Sequence, residues 1–179
     1  LLPLLAITTV LVLRSTRHAF ERAHEARHDQ LTGLLNRRAF IAAIDDALES
    51  RPRRSVVMLM DLNGFKDVND RLGHQAGDDV LVVVSRRLAA TLRAQDRLGR
   101  LGGDEFGVLL TEVHDEQEVS VVVGRLVNAI EQPITLPGGT VTVGASVGYA
   151  MSADPRMPLD RLLAAADQRM YATKAHRRR

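Results

Sequence analysis

Apolar positions recur at helical spacing in four stretches of this chain and crowd into strand-length runs between them. Asn36 is a good N-cap for a helix that carries Phe40, Ile41, Ile44 and Leu48 on one face and runs to about Ser50. Residues 55–60 (SVVMLM) form an unbroken apolar run of strand length, suited to a central strand buried on both faces, ending at Asp61. From Gly64 the period is helical again, with Gly73 and Gly77 as punctuation and Val80, Leu81, Val84, Leu88 and Leu92 as the buried face. Residues 97–101 and 106–110 read as the arms of a hairpin whose tight turn is Gly102 and Gly103. A further amphipathic helix covers 116–131 and stops at Pro133. Gly138 and Gly139 then turn into TVTVGASVGYAM, which alternates like a strand, and Pro155 and Pro158 lead into a last helix from Leu159 to about Lys174. The order α-β-α-β-β-α-β-α, without repeats, predicts an α+β domain with helices layered on one sheet.

Upstream of this domain the pattern changes. Residues 1–13 (LLPLLAITTVLVL) carry no charge and would span about 20 Å as a helix, against roughly 30 Å of hydrocarbon. The run reads as the end of a transmembrane helix whose beginning is missing; a buried core helix is the alternative. Basic residues come after the run instead of before it, which argues against a cleaved signal peptide. Arg14, Arg17, Arg22 and Arg27 place the remainder of the chain on the cytoplasmic side of the inner membrane by the positive-inside rule. Residues 14–28 have a thin apolar stripe (Ala19, Phe20, Ala23, Ala26) and no helix breaker, so they read as a helical stalk able to pair with a copy of itself. The expected domains are therefore 1–13, 14–28 and 29–179.

Composition narrows the chemistry. The absence of cysteine excludes disulfides and thiolate metal sites, and a net charge of +2 with 3% aromatic residues offers no platform for a nucleic-acid polymer. Binding of single nucleotides is left open. The hairpin carries the sharpest signal, because Asp104 and Glu105 come directly after the glycine pair. Two acids at a turn repel each other and call for a counter-charge, and a metal or a phosphate-bound metal supplies one. A solvated turn is the plain alternative. If the strand ending at Asp61 lies beside this hairpin, acids from two strand ends converge with no basic partner in the adjoining sequence. That pattern suits a hard divalent ion held beside substrate phosphates.

The segment GGDEF at 102–106 resembles the signature of the diguanylate cyclase (GGDEF) family, and the resemblance continues in order along the chain. HDQLTGLLNRRAF at 28–40 is similar to the family's opening motif, MDLNGFKDVND at 60–70 to its metal and nucleotide segment, and LGHQAGDDVL at 72–81 to the helix next in order. GASVGYAM at 144–151 and ADQRMYATK at 166–174 complete the set. The resemblance implies a ferredoxin-like or nucleotidyl-cyclase palm with a mainly antiparallel sheet. It also implies an enzyme that joins two GTP into cyclic di-GMP with release of two pyrophosphates, at an interface between two copies. By the same resemblance Asp61, Asp104 and the Leu62 carbonyl hold Mg2+, with Mn2+ as a substitute. Asp104 or Glu105 helps deprotonate the attacking 3′-hydroxyl. Asn69 and Asp78 read guanine with His74 nearby, Phe65 and Lys66 cradle the terminal phosphates, and Lys174 and Arg178 neutralise them. Arg93 and Asp96 match a product-binding inhibitory site. Two positions depart from the family pattern: Asn63 replaces an acid, and Arg177 stands where glycine is usual. The competing reading is a non-catalytic receptor for GTP or cyclic di-GMP. Degenerate members of that kind usually lose the hairpin acids, and here both are present with Asp61.

Overall fold

Strand β2 (Arg54–Asn63) is the axis of the molecule and is hydrogen-bonded on both edges, antiparallel to β4 (Glu105–Val113) and to β7 (Gly144–Met151). The computed structural model describes residues 26–50, 54–152 and 157–177. The apolar run 1–13 and nearly all of the 14–28 stretch lie outside them. Strand β3 (Arg97–Gly102) adds antiparallel to β4, and the short β1 (Leu35–Asn36) adds parallel to β3, which gives the order β1-β3-β4-β2-β7. The sheet is therefore mainly antiparallel, as expected. Among the described residues no helix is long and apolar enough to cross a membrane.

Helix α1 (Arg37–Glu49) starts where Asn36 predicts: its side chain accepts a hydrogen bond from the Ala39 N–H at 3.0 Å. Helix α5 (Leu159–Arg177) packs beside α1 on the same face of the sheet. Together they bury Phe40, Ile44, Leu162 and Ala166 against Val57, Leu109 and Ala150. The other face receives α2 (Phe65–Leu72), α3 (His74–Thr91) and α4 (Glu116–Ile130) over Val56, Met58, Met60, Phe106, Val108 and Leu110. The side chains of β2 thus alternate between two cores, which is why its sequence is apolar without interruption.

Three boundaries differ from the sequence reading. The helical stretch after Gly64 is two helices, broken at Gly73 (φ 84°), whereas Gly77 lies inside α3. Gly77 is small because α2 packs there: a Cβ would collide with the Asn69 side chain and lie 3.2 Å from the Phe65 ring. Residues 140–151 are not one strand. β6 (Gly139–Val141) folds back on β5 (Ile134–Leu136) as a separate ribbon before β7 begins. Finally, β2 does not stop at Asp61, because β7 continues the pairing through Leu62–Ala145 and Asn63–Gly144.

Candidate active site

The hairpin predicted around Gly102 and Gly103 forms, with φ of 146° and 52° at these residues, and its start on β4 lies beside the end of β2. Asp61 and Glu105 stand opposite each other in register, and the Leu62 N–H donates to the Asp104 carbonyl at 3.2 Å. The acids of two strand ends therefore do converge. In an antiparallel strand the N–H and C=O of one residue point to the same edge, so the Leu62 carbonyl faces the Asp104 side as well.

A basic partner is nevertheless present, brought in by the tertiary fold. Lys174 on α5 places its Nζ 2.7 Å from Asp61 Oδ2. Asp61 is only 7% exposed, and its Oδ1 is buried with no hydrogen-bond partner among the described residues. Burial pushes the Asp104 carboxyl above its ordinary value of 3.8, and the charge of Asp61 adds to this; its own backbone hydrogen bond, Lys174 and Arg100 pull the other way. A buried carboxylate oxygen left unpaired beside a second acid fits a hard oxygen-seeking cation. Asp61, Asp104 and the Leu62 carbonyl offer oxygen donors only, which matches Mg2+. Among the described residues no cluster of three or more His, Cys, Asp or Glu could hold a metal, so further ligands would have to come from substrate or water.

Two clefts meet at Lys174. One, of about 470 Å3, is lined by Asp61, Glu105, Asp167, Met170, Tyr171 and Ala175. The other, of about 700 Å3, is lined by residues 62–67 and Asp104, with Phe65 and Lys66 at the start of α2. The Asn69 side chain packs on Gly77, next in sequence to Asp78, and His74 is exposed one turn before Asp78 on α3. Asn63 lines the larger cleft; its Oδ1 accepts from Ser146 Oγ at 3.0 Å and its Nδ2 is buried without a partner among the described residues. Arg178 lies outside the described residues.

Arg93 and Asp96 are close but do not face each other as a side-chain pair. The Asp96 carboxylate accepts from the Arg93 backbone N–H at 2.9 Å, and the Arg93 guanidinium turns to Glu118 of α4 at 3.0 Å. Sequence reasoning missed Arg100 altogether. Its Nε and Nη2 donate to the Gly103 carbonyl at 3.0 and 2.9 Å, and its Nη1 reaches Asp29 at 3.1 Å, so it clamps the acidic turn to the start of the domain. An arginine two residues before a glycine turn carries no sequence signal of such a role. Asp167 and Tyr171 were also overlooked; spacing of four on α5 puts both on the face that carries Lys174.

The sequence profile described as diguanylate cyclase, GGDEF domain, matches residues 26–179. The chain belongs to this family. The GGDEF domain here is 38% identical over 161 residues to the diguanylate cyclase TpbB of Pseudomonas aeruginosa, an alignment covering 87% of this chain and 37% of TpbB. The chain spans between 22% and 37% of the length of the first curated relatives it matches. Among solved structures, a fragment of Pseudomonas aeruginosa TpbB comprising only the GGDEF domain superposes with a TM-score of 0.78 at 36% identity, over 83% of this chain and 89% of that one. The GGDEF domain of DgcB from Caulobacter crescentus, solved in complex with cyclic di-GMP, gives a TM-score of 0.78 at 25% identity, over 84% and 91%.

Proposed function

We propose that this GGDEF domain condenses two GTP into one cyclic di-GMP and two pyrophosphates, using Mg2+ and two copies of the chain face to face. The observation that carries the reading is Asp61 set opposite Glu105, beside Asp104, with one Asp61 oxygen buried and unpaired. When bound, the divalent ion would neutralise the triphosphate and polarise the α-phosphate. The chain's own residues supply the rest. Phe65 and Lys66 line the cleft beside Asp104 where terminal phosphates would lie, and Lys174 closes it from α5. Asn69 and Asp78 read the guanine edge, the acid accepting from its N1 and N2 donors, with His74 alongside. Asp104 or Glu105 accepts the 3′-hydroxyl proton as that oxygen bonds to the partner nucleotide's α-phosphorus and the bond to the β-phosphate oxygen breaks, releasing pyrophosphate. Each copy brings one GTP, so two such steps close the ring. Retention of all three acids favours catalysis over a receptor that only binds nucleotide.

Feedback by product at Arg93 and Asp96 is part of the proposal. It is supported by the half-exposed Arg93 side chain and by the family's relative crystallised with cyclic di-GMP. Arg93 would have to leave Glu118 to engage the product. Attachment to the inner membrane through residues 1–13, with the domain on the cytoplasmic side, rests on the charge-free run and the arginines after it.

The deciding experiment is incubation of the chain with GTP and Mg2+ at high protein concentration, with cyclic di-GMP and pyrophosphate quantified. Asp104→Ala should abolish both products while keeping the fold. A folded, dimeric, GTP-binding sample that releases no pyrophosphate would leave only the receptor reading.

A further inference from the structure

Lys174 occupies an unusual position for a residue reserved for substrate. Its Nζ sits 2.7 Å from Asp61 Oδ2, its side chain is 30% exposed, and it forms part of the wall of both clefts. Asp61 is almost fully buried, and its other oxygen has no partner among the described residues. A buried ionised carboxylate without a counter-ion is strongly unfavourable, so Asp61 favours a cation beside it, and in this structure that cation is Lys174. A lysine is suited to a temporary role of this kind, being a point charge on a flexible four-carbon stem.

We propose that Lys174 is a placeholder for the divalent cation: its ammonium neutralises Asp61 until a metal takes that carboxylate, and the lysine is then released into the adjoining phosphate cleft. This rests on the metal-and-triphosphate reading of the site. The ammonium on Oδ2 and a metal drawn to the unpaired Oδ1 compete for the charge of one carboxylate and repel each other, so metal alone binds weakly. Metal arriving with a triphosphate binds well, because the displaced lysine finds a new anion within the reach of its side chain. The exchange ties metal loading to nucleotide loading and keeps Asp61 from holding a bare cation.

The test is metal binding without nucleotide, in the full 179-residue chain kept in mild detergent. Mn2+ affinity is read by electron paramagnetic resonance for wild type, Lys174→Met and Lys66→Met. Removal of Lys174 should tighten Mn2+ binding by about threefold or more, the range in which a partly exposed ion pair operates. Lys66→Met removes an equal charge from the larger cleft and should change it much less. Unchanged or weaker Mn2+ binding by Lys174→Met, or an equal gain in Lys66→Met, would overturn the proposal. If Lys174→Met does not fold, the wild-type chain decides. The 15N signal of the Lys174 ammonium should shift on addition of Mg2+ and shift again on addition of a non-hydrolysable GTP analogue, and a signal indifferent to Mg2+ would sink the idea. Product formation is not the readout, so the cyclase reading can stand where this fails, and the competition can be seen where no product forms.

Discussion

Arg100 and Asp29 lie 71 positions apart and form an ion pair of 3.1 Å whose side chains are only 14% and 24% exposed. The same guanidinium holds the Gly103 carbonyl, so the turn that presents Asp104 and Glu105 is fastened to the first residues of the domain. Arg100→Ala should lower stability by about 1–3 kcal/mol, the usual range for losing hydrogen bonds to a charged group. Product formation should fall further than stability alone explains, because the turn loses its fixed geometry. Urea unfolding beside a turnover assay on the same samples separates the two effects, and equal activity at equal folded fraction would refute the second.

The Asp29 carboxyl also sets a pH dependence. Burial would raise its pKa, but hydrogen bonds from the Thr32 side chain and backbone and from Arg100, together with the Arg100 charge, bring it below 3.8. A group whose folded pKa is depressed contributes stability that is complete above its unfolded value and disappears as pH falls through the folded one. The stability gap between wild type and Asp29→Asn should therefore be constant at neutral pH and shrink below about pH 4. Denaturant midpoints measured from neutral pH down to about pH 3 check it.

Asp104 should behave in the opposite sense. Its pKa is raised by burial and by the neighbouring Asp61, so between 3.8 and the folded value the native state holds more protons than the unfolded one. Stability contributed by this group falls as pH rises through that window and stays lost above it. Asp104→Asn is expected to raise the melting temperature at neutral pH in metal-free buffer while eliminating product. The gain should vanish on acidification below the window. A melting temperature at neutral pH lower than that of wild type would contradict this.

Two glycines distinguish packing from backbone freedom. At Gly148 of β7 a Cβ would collide with the backbone of Ala166 and Met170, so α5 lies directly on the strand. Gly148→Ala should destabilise by about 1–3 kcal/mol and displace the helix that carries Lys174. At Gly124 on α4 nothing among the described residues lies within 4 Å of a Cβ, and Gly124→Ala should stabilise by up to about 1 kcal/mol. Thermal melts of the two variants with opposite signs are the expected outcome.

Phe40 seals the opposite side of the hairpin. It is fully buried and lies against Gly99 and Gly107, a cross-strand pair whose missing side chains make room for the ring. Phe40→Ala should reduce stability by about 3–5 kcal/mol, a size typical of an aromatic removed from a core. A smaller loss by chemical denaturation would mean that α1 collapses onto the glycines.

The sequence by itself determined the helices, the central strand and the acidic turn. Each is dictated by a local rule: Asn36 as a cap, the apolar run of 55–60 for a doubly covered strand, and Gly102 and Gly103 for a turn with positive φ. It also pointed to Asp61 as the partner of the hairpin acids, since each falls at one end of a strand-length apolar run and the two runs could lie side by side in one sheet. What it could not contain was the cost and company of those acids. Only the tertiary structure decided that Asp61 is buried with an unpaired oxygen, that Lys174 arrives from 113 positions away to neutralise it, and that Arg100 ties the turn to Asp29. The same holds for the break at Gly73 against continuity at Gly77, where the packing of α2 on α3 overrides local glycine propensity. Local pattern specifies which way a residue faces along its own element. Charge compensation depends on which elements meet, and that is a property of the assembled fold alone.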